Sequence, residues 1–253
     1  MAISGTYAFN PDLSEIVEEA YERAGVEMRS GHDLRTARRS LNILTLEWQN
    51  RGINLWTIDE STISETAAGV SLGSDKYLVK DTYQYNLDVG TIGLLDLILR
   101  TDEGDATKQT DYRLNRISQP TYSTIPNKLT TGRPLQYYLE RREVLDTAAD
   151  GSDQKDRINL WPVPDKASTY KIVYWRMKRI ADTGNPASNT MEVPSRFIPA
   201  LVSGLAYHVA MKRPEAAQRV GLLKQAYDEE FDLAAQEDRE KASVRFVPHI
   251  PGY

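Results

Sequence analysis

The apolar positions of this chain follow two different periods, and the switch between them divides it into parts. Leu13, Ile16, Val17, Ala20, Tyr21 and Ala24 fall at i, i+3, i+4, i+7, i+8 and i+11, which is one face of an α-helix. Asp12 with Glu15 has the spacing of a capping box, Asn10 and Pro11 precede it, and Gly25 stands where a left-handed C-terminal residue is wanted. A second helix follows a short loop, with Asp33 near its start and Gly52 beyond its end. Leu34, Ala37, Leu41, Leu44 and Trp48 share its apolar face. Two helices joined so closely are expected to pack antiparallel.

From Ile53 to about Glu192 the period becomes two, and Gly, Pro, Asp and Asn punctuate it, as in antiparallel strands. The pattern predicts strands at 55–58, 77–79, 83–87, 94–100, 112–117, 135–140, 157–161 and 170–176, a short helix around 120–125 and a hairpin turn at Asp150 to Asp153. In the last strand Tyr170, Ile172, Tyr174 and Arg176 share one side, with Lys171, Val173 and Trp175 on the other.

Helical spacing returns at Pro194. Phe197, Leu201, Leu205, His208 and Val209 share one face of a third helix, which Lys212 and Arg213 close before Pro214 opens a fourth. In that fourth helix Val220, Leu223, Tyr227, Phe231 and Ala234 step by three or four. The remaining SVRFVPHIPGY has two prolines and no helical period, and is expected to be extended. Each helix carries a single apolar stripe, so none can be buried alone. The predicted fold is α+β: a four-helix bundle made by an N-terminal pair (1–52) and a C-terminal pair (194–242), an inserted antiparallel β region (53–193), and an extended tail (243–253).

The 253 residues carry 31 Lys and Arg against 36 Asp and Glu, a net charge of −5. The basic excess of a static DNA-binding domain is therefore missing. Much of the negative charge is local, because residues 215–241 hold eight acids against four bases. There is no cysteine, which excludes disulfides, thiolate nucleophiles and Cys-based zinc or iron–sulfur sites. With no basic segment followed by an apolar run at the start, and no apolar stretch long enough to span a bilayer, the chain reads as soluble and not exported by a signal peptide. Tyrosine outnumbers phenylalanine 14 to 4, and a phenol can be half buried and half wet, which leans toward extensive subunit interfaces.

Candidate chemistry is thin. Gly69-Val70-Ser71-Leu72-Gly73 matches the G-x-S-x-G nucleophile elbow, but that elbow needs a strand entering and a helix leaving, and the residues after it read as turn and strand. His208, beside Leu205 and Val209, reads as a hydrogen-bonded core or interface histidine. The acidic clusters at 101–107 and 146–156 lack EF-hand spacing and read as solvated hairpin loops. Trp161 and Trp175 read as core residues. No zinc, P-loop or dinucleotide motif occurs, so no catalytic residue, metal or cofactor is assigned. Arg35, Arg38 and Arg39 sit off the apolar face of the second helix. They form either a solvated face with local ion pairs or a contact with acids such as Asp228, Glu229 and Asp232 on the fourth helix of the same or another subunit.

In order, SEIVEEAYERAGVE, RTARRSLNILTLEWQNRGINLWTI, RISQPTYSTIPNKLTTGRPLQYYLER, INLWPVPD and VPSRFIPALVSGLAYHVAMKRPE, then a helix and VRFVPHIPGY, resemble the head-to-tail adaptor proteins of tailed bacteriophages. These are the connectors of short-tailed phages, which include the packaged-DNA stabilisation and tubular adaptor proteins. The resemblance covers most of the chain and rests on the order of the segments more than on any one of them. It implies a structural protein of the virion neck, assembled in the host cytoplasm, with no catalytic motif. A ring of typically twelve copies would dock under the portal, extend the DNA channel, help retain packaged DNA and receive a tail nozzle or other tail protein. The C-terminal tail would clasp the portal, through Val244, Arg245, Phe246, Val247, Pro248, His249, Ile250, Pro251 and Tyr253.

An acidic subunit suits a channel through which DNA must pass without tight binding. Twelve copies at −5 each carry on the order of −60 charges, which repel a polyanion. Competing readings are a virion-associated cell-wall glycosidase or esterase and a monomeric DNA-binding module.

Overall fold

A computed structural model describes residues 9, 11–29, 31–51, 55–142, 155–182 and 191–238. The fold is α+β with substantial sheets, and the chain forms two compact units, Met1–Trp56 with Ile180–Tyr253, and Thr57–Arg179. The sequence pattern puts the second boundary at 193. Met191 and Val193, just before that boundary, pack against the helical core, and the first helical turn begins at Ser195.

In the helical unit, α1 (Leu13–Ala24) starts on a complete capping box. The Asp12 carboxylate accepts from the Glu15 backbone N–H at 2.9 Å, and Glu15 accepts from that of Asp12 at 3.0 Å. Capping of this kind is worth about 1 kcal/mol. Gly25 ends the helix at φ 71°, and its N–H donates to the Glu22 carbonyl at 2.9 Å. The second helix, α2 (Gly31–Arg51), buries Ala37, Leu41, Leu44 and Trp48 as its stripe requires.

In the β unit the strands are β1 (Ile58–Thr62), β2 (Glu65–Thr66), β3 (Gln84–Asn86), β4 (Thr91–Thr101), β5 (Thr110–Arg113) and β6 (Asn115–Ile117). A short helix α3 (Gln119–Ser123) follows, then β7 (Thr131–Gly132), β8 (Gln136–Glu140), β9 (Arg157–Trp161), β10 (Val163–Pro164) and β11 (Tyr170–Lys178). One sheet runs β1-β11-β4-β5, a second β2-β3-β9-β8-β6, and β10 pairs with β7. Tyr85, Leu97, Leu99, Ile158, Leu160, Ile172 and Tyr174 fill one core between the two larger sheets.

Several details depart from the sequence reading. The β region is not purely antiparallel, because β6 pairs with β8 and β10 with β7 in parallel. The strand expected at 112–117 is two strands in different sheets. At Leu114 the chain crosses over: its N–H donates to Leu97 at 3.0 Å, while the next N–H donates to Leu135 at 3.0 Å, and the Leu114 side chain drops into the core. Residues 77–79 form a loop, pinned by the Tyr85 hydroxyl, which donates to the carbonyl of Thr82 at 3.1 Å and accepts from the N–H of Val79 at 3.1 Å. Leu55–Thr57 is a turn of 3₁₀-helix rather than the start of a strand. Trp161 and Trp175 are half-buried rather than core residues, and the Trp161 indole N–H donates to the Asn127 carbonyl at 3.2 Å. The expected turn at 150–153 lies outside the described residues.

The helical unit is completed by α4 (Ile198–Lys212) and α5 (Val220–Glu237), each preceded by a 3₁₀ turn. The sequence suggests one apolar stripe on α4, but the helix is buried nearly all round, through Ala200, Leu201, Val202, Ser203, Gly204, Leu205, Ala206, Val209 and Ala210. It is the helix against which α1, α2 and α5 each pack. Small residues permit that approach: a Cβ on Gly204 would lie 2.8 Å from Leu44 and 3.0 Å from Tyr227. Across the α2/α5 contact the Trp48 indole N–H donates to the Tyr227 hydroxyl at 2.9 Å, and Trp48, Phe197 and Phe231 form an aromatic cluster. Among the described residues no helix is long and apolar enough to cross a membrane.

Candidate functional site

The surface features of the helical unit follow from what its core consumes. With Ala37, Leu41, Leu44 and Trp48 turned inward, the outward ridge of α2 is Arg35, Arg39, Ile43, Leu46 and Asn50. Ile43 is 49% exposed and Leu46 39%. Arg38 stands beside this ridge and is half-buried. On α5 the core takes Leu223, Tyr227, Phe231 and Ala234, which leaves Leu222, Glu229, Asp232 and Leu233 outward, with Asp228 half-buried. Leu222 and Leu233 are 71% and 66% exposed. The sequence pattern singles out the charges of both ridges but not their apolar residues. The available signal is that Ile43, Leu46, Leu222 and Leu233 lie off the core stripe.

Other charges hold the helices together. Arg213 pairs with the buried Asp33, whose carboxylate also accepts from the Arg29 backbone N–H at 3.1 Å, and this donation and the Arg213 charge hold its pKa below the usual range. Arg23 on α1 reaches the Ser203 hydroxyl of α4 at 2.7 Å and Glu230 of α5 at 3.5 Å. Arg196 pairs with the buried Asp238 just past the end of α5. No ion pair among the described residues joins Arg35 or Arg39 to Asp228, Glu229 or Asp232. The portal-clasp residues Val244 to Tyr253 all lie outside the described residues.

Sites that suggest enzyme chemistry resolve into loops and core. Gly69 and Gly73 adopt φ 76° and 75°, and the exposed Ser71 between them accepts from the Gly73 N–H at 3.2 Å in a strand connection with no helix leaving it. The nucleophile elbow geometry is absent. In the loop at 101–107, Glu103 is held by Lys171 and Arg100, and the Lys171 hydrogen bond keeps its carboxyl below the usual range. Asp105 is engaged by Thr107 and Lys108. Among the described residues no three His, Asp or Glu side chains gather in a metal-binding group. Most of the second acidic loop lies outside the described residues.

The Nε2 of His208, the residue read as a hydrogen-bonded core or interface histidine, is buried 4.0 Å from Glu47 and has no hydrogen-bond partner among the described residues. Burial lowers its pKa from the ordinary 6.5, Glu47 opposes that shift and Lys212 adds to it. The folded chain thus takes up this proton less readily than the unfolded one, so the contribution is favourable above the ordinary imidazole pKa and shrinks as pH falls through it. Thermal unfolding is expected to occur at lower temperature as pH drops from about 7 to about 5. His208→Gln should flatten that dependence, and an unchanged slope would show that other groups set it.

Comparison with known families gives one result. Residues 12–249 match the family described as SU10 adaptor protein. No curated protein matches the chain. The family match spans both the helical and the β units, and on it the chain belongs to the SU10 adaptor protein family and is a phage adaptor protein.

Proposed function

We propose that this phage structural adaptor assembles as a ring beneath the portal vertex, extends the DNA channel, helps retain the packaged genome and presents the docking surface for the tail. One observation carries the reading: two different ridges of the same unit, on α2 and α5, are exposed, opposite in charge and each furnished with uncovered aliphatic side chains. A contact between two different faces of one chain is head-to-tail, and such a contact closes into a ring when its rotation permits. Arg35 and Arg39 of one copy would face Glu229 and Asp232 of the next, with Asp228 and Arg38 at the margin and Ile43, Leu46, Leu222 and Leu233 between them. Buried aliphatics would supply most of the affinity and the charges the register.

In this reading the four helices act as a bundle forming the ring body, and the β unit faces the tail nozzle or another tail protein. The net charge of −5 per chain keeps the passing duplex from sticking. A structural adaptor family also points to a protein that is not an enzyme. The test is a charge swap followed by mass measurement, with the protein alone and with portal. Arg35→Glu with Arg39→Glu should weaken subunit association about tenfold or more. Adding Glu229→Arg and Asp232→Arg should restore it. Rings of unchanged stability in the first variant would remove the α2/α5 contact from the reading.

A further inference from the structure

The outer face of α1 is strongly acidic. Glu15, Glu18, Glu19 and Glu22 are all exposed and follow one another at helical spacing along a single edge. Beneath that edge lies a groove of about 460 Å³ with an apolar floor made by Ile16 of α1, Ile198, Pro199 and Val202 of α4, and Phe9. Phe9 is 79% exposed beside it, so an apolar ring stands uncovered at the mouth of an apolar groove. An acidic rim over an apolar floor selects an extended segment that is both basic and apolar.

One segment of this chain has that composition and starts in reach. Residues 239–253 carry three basic residues, Arg239, Lys241 and Arg245, against the single acid Glu240, together with Val244, Phe246, Val247, Ile250 and Tyr253. The residue before the segment, Asp238, is buried and tied by its carboxylate to Arg196, and Arg196 is two residues from Ile198 in the groove floor. The chain thus leaves α5 at the groove's own end. Five extended residues cover about 16 Å, enough to bring Val244 to the groove, and the seven from Val244 to Ile250 cover about 23 Å. The ten helical residues from Leu13 to Glu22 rise only about 15 Å. The segment is long enough for the whole groove.

We propose that, before the adaptor meets its partner, residues 244–250 lie in the α1/α4 groove of their own chain, with Phe246 and Val247 on the apolar floor and Arg245 against Glu18 and Glu22. The portal-clasp reading gives the same segment a second, competing destination, so docking on the portal would require its release. Apparent portal affinity is then reduced by the fraction of molecules in which the segment is held.

The test is amide hydrogen exchange on the full-length protein without portal, at a concentration where it is monomeric. Residues 244–250 should exchange about tenfold or more slowly than an unstructured peptide. Glu18→Lys with Glu22→Lys should abolish that protection while the α1 amides keep theirs, because neither glutamate belongs to the capping box or to the Arg23 ion pairs. Arg245→Glu with Phe246→Ser should do the same without touching the helical unit. Unprotected 244–250 in the wild type, protection that survives both variants, or protection that rises with protein concentration would each overturn the assignment. Portal titration of the Glu18→Lys, Glu22→Lys variant separates this proposal from the clasp, because that variant leaves every clasp residue in place: if it loses protection but binds portal no more tightly than wild type, the groove stands and the clasp falls.

Discussion

Leu41→Asp is expected to unfold the helical unit, whereas Ile43→Asp, two residues further along the same helix, leaves it folded. Leu41 is fully buried in the core shared by α1, α2, α4 and α5, and Ile43 is 49% exposed on the opposite side of α2. A carboxylate at position 41 loses the leucine's burial and places an unpaired charge in an apolar site, a loss of about 4 kcal/mol or more. Whole domains are stable by only about 5–15 kcal/mol, so little would remain. At position 43 the same substitution changes stability by about 0.5 kcal/mol or less. It should nevertheless impair ring assembly, because it places an acid on the basic ridge proposed to meet Glu229 and Asp232 of a neighbour. Thermal unfolding combined with mass measurement reads both effects. A Leu41→Asp protein as stable as wild type would show that α2 does not belong to the core as drawn.

Deleting residues 243–253 is expected to leave a folded protein that no longer co-sediments with portal rings or supports retention of packaged DNA. The deletion removes Phe246, Val247, Ile250 and Tyr253, the apolar anchors of the clasp, together with Arg245, and begins five residues beyond the last described residue, Asp238. Pro248 and Pro251 restrict the backbone of the segment, so less entropy is lost when it docks. Losing such a segment should abolish attachment rather than weaken it by a small factor, provided the helical unit makes no independent contact. Circular dichroism and thermal unfolding would report the fold, and sedimentation with portal the attachment. Unchanged portal affinity in the truncated protein would transfer the attachment to the helical unit.

The contrast between Leu41 and Ile43 also marks the reach of sequence reasoning here. Wherever one face of an element is buried and the other is wet, its position and type were legible. The six apolar residues of α1 with their Asp12/Glu15 cap, the α2 stripe from Ala37 to Trp48, and the alternation of Gln136 to Glu140 each record one buried face directly in residue order. The character of residues 69–73 was legible too, since G-x-S-x-G without a following helix reads as the glycine-bearing connection that the fold contains.

Tertiary structure alone decided what depends on two or more elements at once. A helix surrounded on most sides has no single stripe to announce it, so the central place of α4 emerges only where Leu44, Tyr227 and Gly204 meet. The division of residues 112–117 between two sheets at Leu114, and the parallel pairing of β6 with β8, follow from which carbonyls are in reach and leave no mark on the alternation of the strand itself. The groove beneath the α1 glutamates is likewise formed by residues nearly two hundred positions apart, Ile16 and Val202. Composition and period determined the helices, most of the strands, their charges and the absence of familiar catalytic motifs in the sequence. The partners of each face were decided by packing, because an apolar or charged side chain specifies that it needs a neighbour but not which one it has.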